Sequence, residues 1–170
     1  MSLAQAEYRR LAGRTYEEFE KDILEGHAIE REIIERYCQW HEDIYESRPK
    51  VVDNGVDNSG KFLDITEVNK SVDFIVDGVP TEVKFIREDL FSFRLKLNLI
   101  KSYIEQKAVI LLVNGWDTTT PKFTILKLDD LEHISIFSKR SVSRDWEGKP
   151  TVKIYRNSYN WNALPPLKKH

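Results

Sequence analysis

Cysteine is nearly absent from this sequence, which has a single one, Cys38, in 170 residues. A single thiol cannot form an internal disulfide, and such low cysteine usage is typical of proteins in reducing compartments. The sequence also lacks a signal-peptide pattern and any apolar run approaching the roughly 20 residues that cross a membrane as a helix. We therefore expect an intracellular, cytoplasmic protein with no membrane partner.

A strong charge bias and the common catalytic motifs are missing as well. The 26 basic and 28 acidic residues give a net charge of −2, so nucleic acid would have to bind a local basic patch. The four histidines are scattered. There is no His-Glu-X-X-His, Cys-X-X-Cys, phosphate-binding loop or Gly-X-Ser-X-Gly, which disfavours the zinc, nucleotide and serine chemistries that those motifs indicate.

What is present is the composition of a globular domain, with 41% hydrophobic and 32% charged residues. The length is sufficient for one domain with a sizeable core. No linker or internal repeat divides the chain. We expect a single domain with its core at about 15–137 and a less regular C-terminal extension at 138–170.

The most informative stretch is 71–86, which has the alternation of a β-hairpin. An Asp-Gly pair in its middle is a strong signal for a two-residue turn. That turn fixes a register in which Asp73 lies directly opposite Glu82. Lys84 shares the face of Glu82, because side chains two residues apart project from the same side of a strand.

Two carboxylates that face each other repel and need compensation. A divalent cation such as Mg²⁺ would supply it, because this ion prefers carboxylate and water oxygens. The alternative is a solvated hairpin face on which Lys84 forms ion pairs with Asp73 and Glu82. The hairpin alone does not decide between the two interpretations.

Two helices are predicted before the hairpin. The first covers 15–24 and begins with a capping box of Thr15 and Glu18. Gly26 then interrupts the pattern. A longer helix covers 27–46, where apolar residues recur at helical spacing.

Glu30 occupies an unusual place on that longer helix. With Ile29 at zero on a helical wheel, Glu30 lies at about 100°, between Tyr37 at about 80° and Ile34 at about 140°. It thus falls inside the apolar arc, where an unpaired charge is costly. One interpretation is a first-turn acid that favours the helix N-terminus. The other is a third acid directed at Asp73 and Glu82.

The remaining pattern predicts strands at 61–67, 108–113 and 123–128, a helix at 93–106, a short helix near residue 129 and an edge strand at 151–155. The 93–106 helix would carry an apolar stripe on one face and Arg94, Lys96 and Lys101 on the other. The run 108–113 is uniformly apolar, as expected of a strand covered on both faces. From residue 139 onward, basic side chains such as Arg140 and Arg144 alternate with aromatic ones. This mixture suits nucleic-acid contacts, although a solvated surface with some inward aromatics gives the same pattern.

Asp73, Glu82 and Lys84 together match the Asp-Xn-Glu-X-Lys signature of the PD-(D/E)XK nuclease superfamily. The helix opening from Gly26 through Glu30 resembles that of archaeal-type Holliday junction resolvases, in which a glycine, three residues and Glu-Arg-Glu precede two aliphatic residues. The strand that carries Asp73 is also similar. The resemblance covers about 26–128; residue 72 is valine where the superfamily's name has proline, and the C-terminal third has no counterpart.

The resemblance implies an α/β fold with a restriction-endonuclease-like core, α-β-β-β-α-β, in which helices flank a central mixed sheet. It implies a metal-dependent DNA endonuclease that hydrolyses phosphodiester bonds with Mg²⁺ or Mn²⁺ and selects DNA by its structure, as Holliday junction resolvases do. Asp73, Glu82 and the backbone carbonyl of Val83 would be metal ligands, Glu30 would bind directly or through water, and Lys84 would position the nucleophile or neutralise charge.

DNA would then be the partner, and a homodimer is expected because junction resolvases and many restriction enzymes need two sites. The candidate DNA contacts are Ser71, Arg87, Arg94, Lys96, Lys101, Arg140 and Arg144. Two alternatives stay open. One is a restriction-type or nicking endonuclease, and the other is a catalytically silent DNA- or protein-interaction module of the same fold.

Overall fold

The computed structural model describes residues 13–54, 72–142 and 148–169. The predicted strand at 61–67 and the two candidate DNA contacts Ser71 and Arg144 lie outside these described residues. Three α-helices occur within the described ranges: α1 (Tyr16–Tyr45), α2 (Leu97–Glu105) and α3 (Leu128–Phe137). None of them is long and apolar enough to cross a membrane.

The described strands form two sheets. The strands, in chain order, are β1 (Val51–Asp53), β2 (Phe74–Val76), β3 (Val79–Ile86), β4 (Ser92–Lys96), β5 (Val109–Asn114), β6 (Lys122–Leu126), β7 (Arg140–Val142), β8 (Pro150–Tyr155) and β9 (Asn162–Ala163). The central sheet has the order β1-β2-β3-β5-β6-β9, with β3 and β5 parallel and the other pairs antiparallel. The second sheet, β4-β8-β7, is antiparallel throughout. The protein is therefore an α/β domain with a mixed central sheet.

The two faces of the central sheet are covered by different elements. Helix α1 packs on one face, where Ile33 meets Leu111 and Phe123 in one buried cluster. Helices α2 and α3 and the second sheet cover the other face, and their buried side chains form a separate cluster. Strand β5 contributes alternate residues to both clusters. This confirms the prediction of a strand at 108–113 that is covered on both faces.

Helix α1 is continuous, so the prediction of two helices separated at Gly26 is wrong. The predicted capping box is present: the Thr15 hydroxyl accepts from the Glu18 N–H at 3.1 Å, and the Glu18 carboxylate accepts from the Thr15 N–H at 2.8 Å. A glycine inside a helix costs only about 1 kcal/mol relative to alanine. Burial of residues such as Ile29 and Ile33 against the sheet offsets that cost.

The segment 93–106 begins as a strand, so the prediction of a helix over its whole length is wrong. Residues 92–96 form β4, which pairs with β8, and helical structure begins only at Leu97. Arg94 and Lys96 therefore project from a strand, and they do not share a helix face with Lys101. The partner strand is distant in sequence, and such non-local pairing overrides local helix periodicity.

The C-terminal segment is part of the same packed structure. The predicted edge strand at 151–155 is β8, which lies in the middle of the second sheet and not at its edge. Strand β9 extends the central sheet. Beyond it, the chain lies against α1, where Arg36 donates to the Pro165 carbonyl at 2.6 Å and Gln39 donates to the Pro166 carbonyl at 3.0 Å.

Candidate active site

The hairpin that carries two of the candidate acids has the predicted register. Phe74 pairs with Thr81 and Val76 with Val79, and the turn residues Asp77 and Gly78 have φ values of 47° and 79°. Two positive φ values are typical of the type I′ turn that an Asp-Gly pair favours. Regular pairing with β3 ends at Phe74. Asp73, the residue before β2, lies in a bend outside the paired strand, so its place directly opposite Glu82 stays a prediction.

Glu82 is a buried carboxylate, with only 6% of its surface exposed. Its Oε1 atom accepts a hydrogen bond from the Lys84 ammonium and a second, at 3.0 Å, from the Tyr103 hydroxyl. Both donors reach the same oxygen, so Oε2 lies outside these two hydrogen bonds. A buried charge needs such partners, because removing a carboxylate from water without them is costly.

Tyr103 was not among the residues predicted for the site. It lies on α2 and is 5% exposed, with Leu97 and Ile100 on the same buried face. The three recur every third residue. That spacing is a detectable signal, but it depends on where α2 begins, and the predicted helix began at residue 93, within β4.

Lys84 is positioned between the core and solvent, with 34% of its side chain exposed. Burial is the largest single influence on its pKa and lowers it. Glu82 acts most strongly in the opposite direction, through its charge and its hydrogen bond, and Asp73 adds to this effect, so that the net result is a pKa raised above the ordinary lysine value. Lys84 is therefore a protonated ammonium at neutral pH.

Glu30 belongs to the same electrostatic cluster although it lies on α1. The pKa of this carboxyl is raised from 4.5 to about 8, mainly by burial and then by the charges of Asp73 and Glu82, against the opposing effects of Lys84 and Arg31. Glu30 is half-buried beside the buried Ile29. Glu30 thus lies close enough to Asp73 and Glu82 for their charges to influence its pKa.

The fourth candidate ligand, the carbonyl of Val83, lies on β3 between Glu82 and Lys84. The Val83 side chain is fully buried on the α1 side of the sheet, and the residue pairs with Leu111 of β5. In the described part of the chain, pairing between β2 and β3 ends at Thr81. At Val83, β2 therefore does not pair with the edge of β3 that lies opposite β5.

The chemistry of the donors suits a hard divalent cation. Three carboxylates lie close together here, and the pKa of Glu30 is raised first by burial and then by the charges of Asp73 and Glu82. Mg²⁺ and Mn²⁺ prefer such oxygen ligands. Within the described ranges, no three acidic, histidine or cysteine side chains are arranged as a ready-made metal site. The hydrogen bonds of Glu82 explain part of this, because its carboxylate is oriented toward Lys84 and Tyr103.

The described candidate DNA contacts lie outside this cluster. Arg87, after β3, is paired with Glu25 at 2.9 Å and Asp117 at 3.4 Å. Arg140 donates to the Ser135 carbonyl at 3.1 Å. The other three are an exposed Arg94 and a half-buried Lys96 on β4, and an exposed Lys101 on α2.

Comparison with known proteins gives no assignment: no protein-family model, curated protein or solved structure matches this chain.

Proposed function

We propose that this protein is a metal-dependent DNA endonuclease that hydrolyses phosphodiester bonds at the cluster of Glu30, Asp73, Glu82 and Lys84. The observation that carries the proposal is the pKa of Glu30, raised to about 8 by burial and by the neighbouring Asp73 and Glu82. An acid from a distant helix and two acids from the hairpin thus act on one another. A solvated hairpin face, the simpler interpretation of the sequence, does not account for this third acid or for the burial of Glu82.

The order of elements supports the same proposal. Omitting β4, the chain runs α1, β1, β2, β3, α2, β5, and the corresponding strands are adjacent in the order β1-β2-β3-β5. Among the described residues, this succession of elements supports the α-β-β-β-α-β order that the resemblance to PD-(D/E)XK nucleases implies. We extend the proposal to a restriction-endonuclease-like core.

Asp73 and Glu82, with the Val83 carbonyl, are the residues that would hold Mg²⁺ or Mn²⁺, and Glu30 would bind directly or through water. A bound cation of this kind supplies a Lewis acid that activates water and stabilises charge on phosphate. Glu82 has one carboxylate oxygen, Oε2, that lies outside its hydrogen bonds from Lys84 and Tyr103. The ionised form of Glu30 would become favourable in the presence of the cation, because the positive charge offsets the repulsion from Asp73 and Glu82.

Lys84 has a more definite role in this scheme than the sequence assigned to it. A raised pKa keeps the ammonium protonated, so it cannot accept a proton from water at neutral pH. It can donate hydrogen bonds to a phosphate oxygen or to the attacking water. Its positive charge then opposes the negative charge that develops on the phosphate during hydrolysis.

One observation favours a second candidate, a catalytically silent interaction module of the same fold. Two neighbours donate hydrogen bonds to Oε1 of Glu82, and the carboxylates are not arranged as a ready-made metal site in the described ranges. In that case Glu82, Lys84 and Tyr103 would form a structural polar cluster. The two candidates differ in whether a divalent cation produces cleavage.

The test is a metal titration on a panel of DNA substrates: supercoiled plasmid, linear duplex, single strand and a four-way junction. Mg²⁺- or Mn²⁺-dependent cutting supports the nuclease. Preferential, paired cuts in the junction indicate a resolvase acting as a dimer, whereas discrete plasmid fragments indicate a restriction-type enzyme. The absence of metal-dependent cutting on every substrate would leave the silent module.

A further inference from the structure

The outward face of the second sheet brings two cations together. Arg94 on β4 lies directly opposite Lys153 on β8. Like charges that face each other across an antiparallel pair destabilise it. Within the described ranges, neither side chain takes part in an ion pair. An anionic ligand would relieve this repulsion.

Exposed aromatic rings accompany these cations. Tyr155, two residues after Lys153, is 39% exposed, and the Lys153 Nζ atom lies 5.5 Å from the centroid of its ring. Phe137 at the end of α3 is 71% exposed, and its ring is 4.8 Å from that of His133. Large apolar rings at the surface beside cations are well suited to stacking with bases while phosphates bind the cations.

A cavity of about 360 Å³ lies beside Lys153 and the rings of Phe137 and Tyr155. It lies along β8 beyond the last β7 pairing at Val152, and Lys139, Lys153, Phe137 and Tyr155 line it. Its volume falls within the range of about 300–1,000 Å³ typical of ligand pockets. The acidic lining residue, Asp130, is already engaged, because its carboxylate accepts from the Lys127 N–H at 2.8 Å.

We infer that this basic–aromatic surface, formed by Arg94, Lys139, Lys153, Phe137 and Tyr155, binds an unpaired strand of DNA. The cations would contact phosphates, and a base would enter the cavity and stack on a ring. An unpaired strand fits better than a duplex, because paired bases do not expose their faces to side chains. That the bound anion is DNA rests on the proposed function. That the surface binds an anion rests on the facing cations Arg94 and Lys153 alone.

The experiment measures binding of a fluorescent single-stranded oligonucleotide by anisotropy in chelator, where no cleavage interferes. The double variant Arg94→Ala/Lys153→Ala should bind more weakly. The magnitude of its slope of log association constant against log salt concentration should fall by about 1.4, or about 0.7 for each lost phosphate contact. Tyr155→Ala should weaken binding by at least about fivefold with little change in slope. The charge-matched control, Lys21→Ala/Lys122→Ala, changes two exposed lysines elsewhere and should match wild type.

Equal effects of the two double variants, or an unchanged Tyr155→Ala affinity, would overturn the inference. So would a wild-type protein that binds acidic peptides or anionic vesicles through these residues and not the oligonucleotide. Thermal unfolding checks that each variant is folded. If wild type cleaves DNA but Arg94→Ala/Lys153→Ala binds the oligonucleotide with undiminished affinity, the inference about this surface is refuted and the proposed nuclease activity stands. Binding that depends on the surface, without cleavage in any metal, would do the reverse.

Discussion

At the scale of single residues, Glu30 has the most informative environment. It is the acid whose role the short hairpin motif does not specify, and its pKa is raised to about 8 by burial and by the hairpin acids. Its position inside the apolar arc of α1 was readable from the sequence, because helical periodicity fixes side-chain direction. The role of Tyr103 could not be predicted from the sequence, because its contact with Glu82 depends on where β4 ends and α2 begins.

Glu30→Gln should lower the rate of metal-dependent DNA cleavage by at least about tenfold, because partners of metal-bound groups typically contribute 10- to 100-fold. Glu32→Gln is the matched control. Glu32 is 43% exposed and forms only a surface pair with Arg36, at 3.5 Å, so its loss should be nearly silent. Equal rates in the two variants would remove Glu30 from the site.

The pH dependence of stability provides a test of Glu30 without catalysis. Its carboxyl holds a proton in the folded state up to about pH 8, whereas the unfolded chain releases it near pH 4.5. The unfolded state therefore binds fewer protons in this window, and this group's contribution to stability falls as the pH rises. In chelator, the free energy of unfolding of wild type should fall relative to Glu30→Gln between about pH 4.5 and about pH 8. Parallel curves would contradict the burial of Glu30 beside Asp73.

Tyr103→Phe removes one of the two hydrogen bonds to the buried Glu82 carboxylate. Because hydrogen bonds to charged groups contribute about 1.5–3 kcal/mol, we expect a loss of that order in chemical denaturation. Tyr155→Phe, which removes a hydroxyl from a ring that is 39% exposed, should change stability by less than about 0.5 kcal/mol. A Tyr103→Phe protein as stable as the control would show that the hydroxyl does not support Glu82.

At the scale of elements, the sequence was most informative where local signals agreed with tertiary packing. The Asp-Gly turn specified the β2–β3 register, and the uniform apolar run specified β5. It was least informative for β4, whose residues follow a helical spacing but pair with β8. Strand pairing between distant segments is a tertiary effect that no short window contains.

Gly26 gives a test of the continuous helix α1. A Cβ atom added there meets nothing within 4 Å, and the residue does not have a positive φ. Gly26→Ala should therefore stabilise the protein by about 0.4–1 kcal/mol. Gly78→Ala is the contrasting variant, since Gly78 has a φ of 79° in the hairpin turn and alanine should destabilise it. Destabilisation by Gly26→Ala would favour the interrupted helix that the sequence suggested.

At the scale of the whole molecule, the C-terminal third joins both sheets and also contacts α1. Strand β8 is the centre of the second sheet, β9 pairs with β6, and residues after β9 accept hydrogen bonds from Arg36 and Gln39. The sequence indicated an appended, less regular segment because its strands are short and their partners lie far back in the chain. The resemblance to PD-(D/E)XK nucleases implied an α/β domain with a mixed central sheet, and that fold class is confirmed.

The most direct measurement of the central claim is DNA cleavage by wild type and Asp73→Asn, with Mg²⁺ or Mn²⁺ and with chelator. Asp73→Asn is a cleaner variant than Glu82→Gln, because the latter also removes the charge that pairs with Lys84. The proposed function predicts cleavage by wild type only when the cation is present, and none above background by a folded Asp73→Asn protein. Cleavage that persists in chelator, or that Asp73→Asn carries out at the wild-type rate, would contradict it.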